Sequence, residues 1–193
     1  MGVAYSWLEY RAGICLWIAG IVMPAIYIFV YYEAGFYADF GINVYYLLAG
    51  LYGWAVWKGM RPLGFGKRGE PAREDKSGLP ITHTPASRIL PLTVICLVIF
   101  VAIAWVLIRF TDSTVPYGDS LTTALSVVGM WMLARKYIEQ WLVWIAVDVI
   151  CCALYVYKGL YPTAVLYGLY SVIAVFGYFK WLRMMKTQKI AHE

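Results

Sequence analysis

The chain has 193 residues, of which 62% are hydrophobic and 14% charged, with a net charge of +5. A soluble domain averages about 25% charged and about 45–50% apolar residues, so a water-soluble enzyme is excluded and the solvent for most of the surface is lipid. The basic excess raises the question of nucleic acid, and the placement of the charges, taken up below, answers it.

Residues 1–10 are apolar and aromatic but at 1.5 Å per residue cover only about 15 Å, half a bilayer. They read as an interfacial stub or as the end of a curtailed first helix, and they lack the charged start and cleavage site of a signal peptide. Apolar runs of about 17–25 residues then mark spans over 13–33, 39–58, 89–110, 138–157 and 161–182, with a shorter one over 119–134. Short punctuated turns separate most of them: Glu33-Ala34-Gly35, Asp112 to Asp119 with Pro116, Ala134-Arg135-Lys136 and Lys158-Gly159. The stretch Gly59 to Ser87 is rich in Gly, Pro and charge and reads as a cytoplasmic loop with little fixed structure.

Placing that loop inside also puts Arg11, Arg135, Lys136 and the tail Lys180, Arg183, Lys186 and Lys189 inside. Of the 16 Lys and Arg, only Arg109 and Lys158 fall outside. This is the positive-inside pattern, with the C-terminus in the cytoplasm, and it accounts for the basic charge without nucleic acid.

The chain repeats itself. Residues 35–57 laid over 159–181, an offset of 124, match Gly35 with Gly159, Tyr37 with Tyr161, Tyr46 with Tyr170, Gly53 with Gly177 and Trp57 with Trp181. In the preceding helices, Trp17-Ile18-Ala19 matches Trp144-Ile145-Ala146 at an offset of 127. Both copies run from outside to inside, so an extra helix must lie between two parallel three-helix repeats. The expected fold is all-α and polytopic, in a three-one-three order. Residues 1–58 form the first repeat with its first helix curtailed, 59–88 the loop, 89–110 the linker helix, 111–182 the second repeat and 183–193 the tail.

The span 138–157 carries Trp141, Trp144 and Asp148 at i, i+3 and i+7, on one face. Asp148 falls near mid-span, where a carboxylate costs about 2.5–3.5 kcal/mol and must face the protein interior. It reads either as a structural carboxylate bonded to a neighbouring Tyr or Ser, or as a substrate or proton site; the functional reading is favoured. The span 39–58 aligns Asn43, Tyr46, Gly50, Trp54 and Trp57 in one stripe, and 161–182 aligns Tyr167, Tyr170, Ala174, Tyr178 and Trp181 at the same spacings. Part of each stripe is packing, since small residues allow close helix approach. Trp57 and Trp181, beside Lys58 and Lys180, read as interfacial-belt residues. One deep carboxylate among aromatic faces suits a flat, cationic or heteroaromatic solute, held by stacking and cation–π contact.

Several other features are set aside. Gly64-Phe65-Gly66-Lys67-Arg68-Gly69 fits G-x-G-x-x-G, but no strand precedes it and no helix opens from it. Cys15, Cys96, Cys151 and Cys152 lie in apolar runs without zinc or disulfide spacing and read as free thiols. His83 sits in the polar loop and His192 in the tail, so no metal site, cofactor or catalytic pair is expected.

Trp141-x-x-Trp144-x-x-x-Asp148, with Ala134-Arg135-Lys136-Tyr137-Ile138-Glu139-Gln140 before it, Lys158-Gly159-Leu160-Tyr161-Pro162-Thr163-Ala164 after it and Tyr52-Gly53-Trp54 in the first repeat, resembles the PnuC family of nicotinamide riboside transporters. The resemblance runs from about Trp7 to Lys180 and is weakest across 59–88. It implies the three-one-three fold in a bacterial inner membrane, as in the sugar-transporting SWEET proteins. It also implies facilitated diffusion of nicotinamide riboside by alternating access, with phosphorylation inside the cell trapping the product. Trp141, Trp144 and Asp148 would line the site, Asn43, Tyr46 and Trp17 would face them, and Tyr170 and Tyr178 would contribute. The resemblance further suggests a homotrimer. Asn43 stands where Gln is expected and Ile18 follows Trp17 where Pro is common, so thiamine, carried by close relatives, is the alternative solute.

Overall fold

The computed structural model describes residues 15–33, 37–58, 79–111 and 114–190. Among them are six helices and no strand: α1 Cys15–Glu33, α2 Tyr37–Trp57, α3 Ala86–Phe110, α4 Pro116–Ala134, α5 Gln140–Tyr157 and α6 Tyr161–Ile190. Each expected span is a helix. By length and composition α3, α5 and α6 are long and apolar enough to cross a membrane. The chain is an all-helical, polytopic membrane protein. The expectations for residues 1–10, for Gly64 to Gly69, for Gly35 and for His192 fall outside the described residues.

Local chemistry sets the helix boundaries. Pro116 takes the first position of α4, where its missing N–H forfeits no bond, and Asp119 sits in the first turn near the positive end of the dipole. α5 ends at Gly159, whose φ of +73° turns the chain back so that Leu160 N–H donates to the Tyr155 carbonyl at 2.8 Å. α4 ends in the same way at Lys136, whose φ of +53° is rare for a residue with a Cβ, and Tyr137 N–H closes onto the Met132 carbonyl at 3.0 Å.

The chain divides into two compact units, one of residues 1–80 with 134–136, the other of 81–133 with 137–193. In the first unit α1 packs on α2. Trp17, fully buried, lies over Gly53 and meets Trp57 edge to face, with ring centroids 5.5 Å apart. One turn earlier on α2 the backbones close up: a Cβ at Gly50 would lie 2.9 Å from the Gly20 carbonyl oxygen. The Trp57 indole N–H donates to the Ala134 carbonyl at 3.1 Å, and the Lys136 ammonium stands 4.3 Å above the Trp57 ring.

In the second unit α5 packs on α6 by the same device. Trp141 lies over Gly177 and meets Trp181 edge to face at 5.7 Å. Two expectations are corrected by this pair of wedges. Trp57 and Trp181 are buried packing residues, not interfacial-belt residues, because each closes a Trp–Gly–Trp contact inside its unit. The counterpart of Trp17 is Trp141, not Trp144, so a single offset of 124 covers both helices of each pair. The matching Trp-Ile-Ala triplets are a coincidence of an aromatic sequence.

The described part of the long connection is also firmly held, against the expectation of little fixed structure. Ile81 is buried, its N–H donates to Gln188 Oε1 at 3.2 Å, and Thr82 bridges to Tyr137, with Ile138 N–H donating to the Thr82 carbonyl at 3.0 Å. Glu139 anchors the strap: Thr84 donates to Oε2 from its N–H and its hydroxyl, both at 2.8 Å, and His83 Nδ1 lies 2.7 Å from Oε1. Burial pushes the Glu139 carboxyl up, but these hydrogen bonds outweigh it and hold it below the ordinary carboxylate range.

Candidate functional site

The second unit concentrates its polarity on α5 and the helices beside it. The α4 hydroxyls of Ser120, Thr122, Thr123 and Ser126 all donate to backbone carbonyls of their own helix, leaving their lone pairs for other partners. Side chains of α5 reach the α4 backbone at two glycines. A Cβ at Gly118 would lie 2.8 Å from Leu154, and one at Gly129 would lie 3.3 Å from Val143 and 3.6 Å from the Trp144 ring.

Asp148 is buried, 7% exposed, halfway along α5. No hydrogen bond to its oxygens is found among the described residues. Cys151, one turn on, and Tyr167 and Tyr170 on α6 are near enough to feel its charge, and the Thr122 hydroxyl lies beside the Cys151 thiol. Tyr167 stacks on Tyr155 with centroids 5.2 Å apart and meets Tyr170 edge to face at 5.9 Å. The result is a carboxylate lodged among phenol rings. A largely buried carboxyl group with no cation beside it among the described residues has capacity for a cation or for hydrogen bonds.

The remaining expected residues divide by where the helices carry them. Trp144 is half-buried and lies against α4 near Gly129, one turn before Asp148. Trp141 leaves α5 toward α6 and is fully engaged in the wedge with Gly177 and Trp181, so its ring is a packing element in this structure. Tyr178 lies two turns beyond Tyr170 on α6, half-buried and against Phe179. Trp17 is the corresponding wedge of the first unit, while Asn43 and Tyr46 are half-buried on α2, with Tyr46 beside Tyr45 at 5.6 Å. The structure therefore brings Asp148 and Tyr170 together, with Trp144 one turn away on the same helix.

Three neighbours were missed in the sequence. Tyr167 belongs to the aromatic stripe but carries nothing that singles it out there. Cys151 reads as an ordinary apolar residue. Gln140, fully buried at the start of α5, sits beside Glu139 and Lys136 and reads as part of a polar helix start. Among the described residues no group of three or more His, Cys, Asp or Glu is placed to hold a metal ion.

Residues 1–183 match the sequence profile of a family described as "Nicotinamide mononucleotide transporter". The chain is similar to the Escherichia coli (strain K12) protein named nicotinamide riboside transporter PnuC, with 21% identity over 193 residues, covering 88% of this chain and 76% of that one. A Neisseria mucosa protein of the same name is 22% identical over 174 residues, covering 86% of this chain and 63% of that one. A solved structure described as the crystal structure of the vitamin B3 transporter PnuC superposes with a TM-score of 0.67 at 21% identity, over 96% of this chain and 79% of that chain. At that identity the likeness speaks to the fold. The match over nearly the whole length speaks to descent: the chain belongs to the nicotinamide mononucleotide transporter family, and it is a membrane transporter, not an enzyme.

Proposed function

We propose that the chain carries nicotinamide riboside across a bacterial inner membrane by facilitated diffusion, with phosphorylation inside the cell trapping the product. The observation that carries this reading is the buried carboxylate of Asp148, without a partner among the described residues, beside Tyr167 and Tyr170, in a family with relatives named for that solute. A pyridinium ring is flat and cationic. Phenol and indole faces attract such a ring, and a carboxylate either offsets its charge or accepts hydrogen bonds from ribose hydroxyls.

In this reading Asp148, Trp144 and Tyr170 contact the solute directly, and Trp141 holds the α5–α6 seam that positions them. Asn43, Tyr46, Trp17 and Tyr178 stand as further solute contacts on the family resemblance alone. The three-one-three order, with α3 as linker, and assembly as a homotrimer rest on the same ground. The sequence contains no P-loop, in keeping with a carrier that is not driven by ATP.

Calorimetry on purified protein with nicotinamide riboside and thiamine tests the solute, and uptake into proteoliposomes without an ion gradient tests the mechanism. Binding of thiamine in preference to the riboside would replace the substrate. A requirement for a proton or sodium gradient would replace facilitated diffusion.

A further inference from the structure

Gln140 opens α5 with its side chain fully buried, yet neither its amide nitrogen nor its carbonyl oxygen has a hydrogen-bond partner among the described residues. Native interiors rarely leave such groups unmet, because both gave up water on folding. One turn on, the Trp144 indole nitrogen is buried and unpartnered as well. Gln140, Trp144 and Asp148 recur at i, i+4 and i+8, which puts them on one face of α5.

Along about 12 Å of helix axis, this face carries a carboxamide, an indole N–H and a carboxylate, none with a hydrogen-bond partner among the described residues. The order suits a ligand with a polar substituent on a flat ring at one end and hydroxyl groups at the other. A side-chain carboxamide is its own complement: its N–H meets a carbonyl while its carbonyl meets an N–H, in one planar pair.

We propose that Gln140 is a specificity-determining residue that recognises a neutral carboxamide on the ring of the transported solute. This rests on the nicotinamide riboside reading and deepens it. A ring carboxylate in the same place would bring an anionic oxygen against the Gln140 carbonyl, and a ring with no substituent would leave the amide unpaired. Were Gln140 purely structural, replacing it would leave the discrimination between these ligands unchanged.

Titration calorimetry on the purified full-length chain, with nicotinamide riboside and with nicotinic acid riboside as its ring-carboxylate analogue, separates the cases. Wild type is expected to favour the amide by about tenfold or more, since two hydrogen bonds and one repulsion distinguish the ligands. Gln140→Leu is expected to lose most of that ratio while melting at or above the wild-type temperature, as the unmet groups leave the interior. If that variant does not fold, Gln140→Met keeps the length of the side chain and answers the same question. A variant that keeps the wild-type ratio overturns the assignment and leaves the transport reading standing, and a wild type that binds both ribosides equally does the same without any variant. A wild type that binds neither overturns both.

Discussion

Gly177 and Gly53 each sit beneath a tryptophan that cannot retreat. A Cβ at Gly177 would come within 2.6 Å of the Trp141 ring, and Trp141 is itself held by Trp181. Gly177→Ala is expected to destabilise the protein by about 1–3 kcal/mol, the usual cost of overpacking, despite the better helix propensity of alanine. Gly168, on the same helix, has only the Cys152 sulfur at 4.0 Å, so Gly168→Ala should be neutral or stabilising by about 0.5–1 kcal/mol. Thermal unfolding of the two variants side by side checks the wedge, and equal melting temperatures would remove it. Asp148 belongs to a different class of residue. Asp148→Asn keeps the shape, removes the charge and is expected to weaken binding of a cationic solute by about tenfold or more with little loss of stability, read by calorimetry and melting. An unchanged dissociation constant would take Asp148 out of the site. Asp148 was legible in the sequence because a lone carboxylate in an apolar run has few explanations. Gln140 was not, because an amide beside two charges at a helix start has many, and only its burial removes them.

At the scale of elements, the helices follow from apolar length and from the Gly and Pro between them, which is why their expected and observed ends agree to within a few residues for most. The strap was illegible for the opposite reason: its partners are remote in sequence, 56 residues from His83 to Glu139 and 107 from Ile81 to Gln188. Glu139 is the anchor, so Glu139→Ala should free the segment and expose Thr82–Thr84 to limited proteolysis, at a cost of about 1–3 kcal/mol for the bonds lost. Its carboxyl is held below the ordinary value of 4.5, so the native state binds the proton less readily than the unfolded chain. The stabilisation it gives is therefore present above the ordinary glutamate range and fades as pH falls through the lower native value. Melting temperatures from pH 7 downward should fall more for wild type than for Glu139→Gln, which has no such proton to gain. Parallel curves for the two proteins would mean the anchor carries no charge-dependent stability.

For the whole molecule, the two units keep one packing device and differ beside it. At the common offset of 124, Gly20 and Gly50 of the first unit correspond to Trp144 and Ala174 of the second, and Pro24 corresponds to Asp148. The first unit spends this turn on a close backbone crossing, whereas the second places an indole and a carboxylate there. The repeat was legible from Gly53, Gly177, Trp57 and Trp181. Its register in the first helix of each pair was not, because identical letters outweighed equivalent contacts. Orientation is the remaining property of the whole, and it rests on charge. Lys158 pairs with Asp119 at 3.2 Å at one end of the second unit, while Arg183 and Lys186 are exposed near the end of α6 at the other. Translocating a basic cluster is disfavoured against the membrane potential, so the end of α6 is expected inside and the α5–α6 turn outside. Tyr161→Cys should then react with a membrane-impermeant maleimide in intact spheroplasts. Arg183→Cys should react only after permeabilisation, in a Cys15→Ser background whose other native thiols Cys96, Cys151 and Cys152 are half-buried within helices. The reverse pattern would invert the topology, and with it the side of the membrane on which the strap and its glutamate anchor lie.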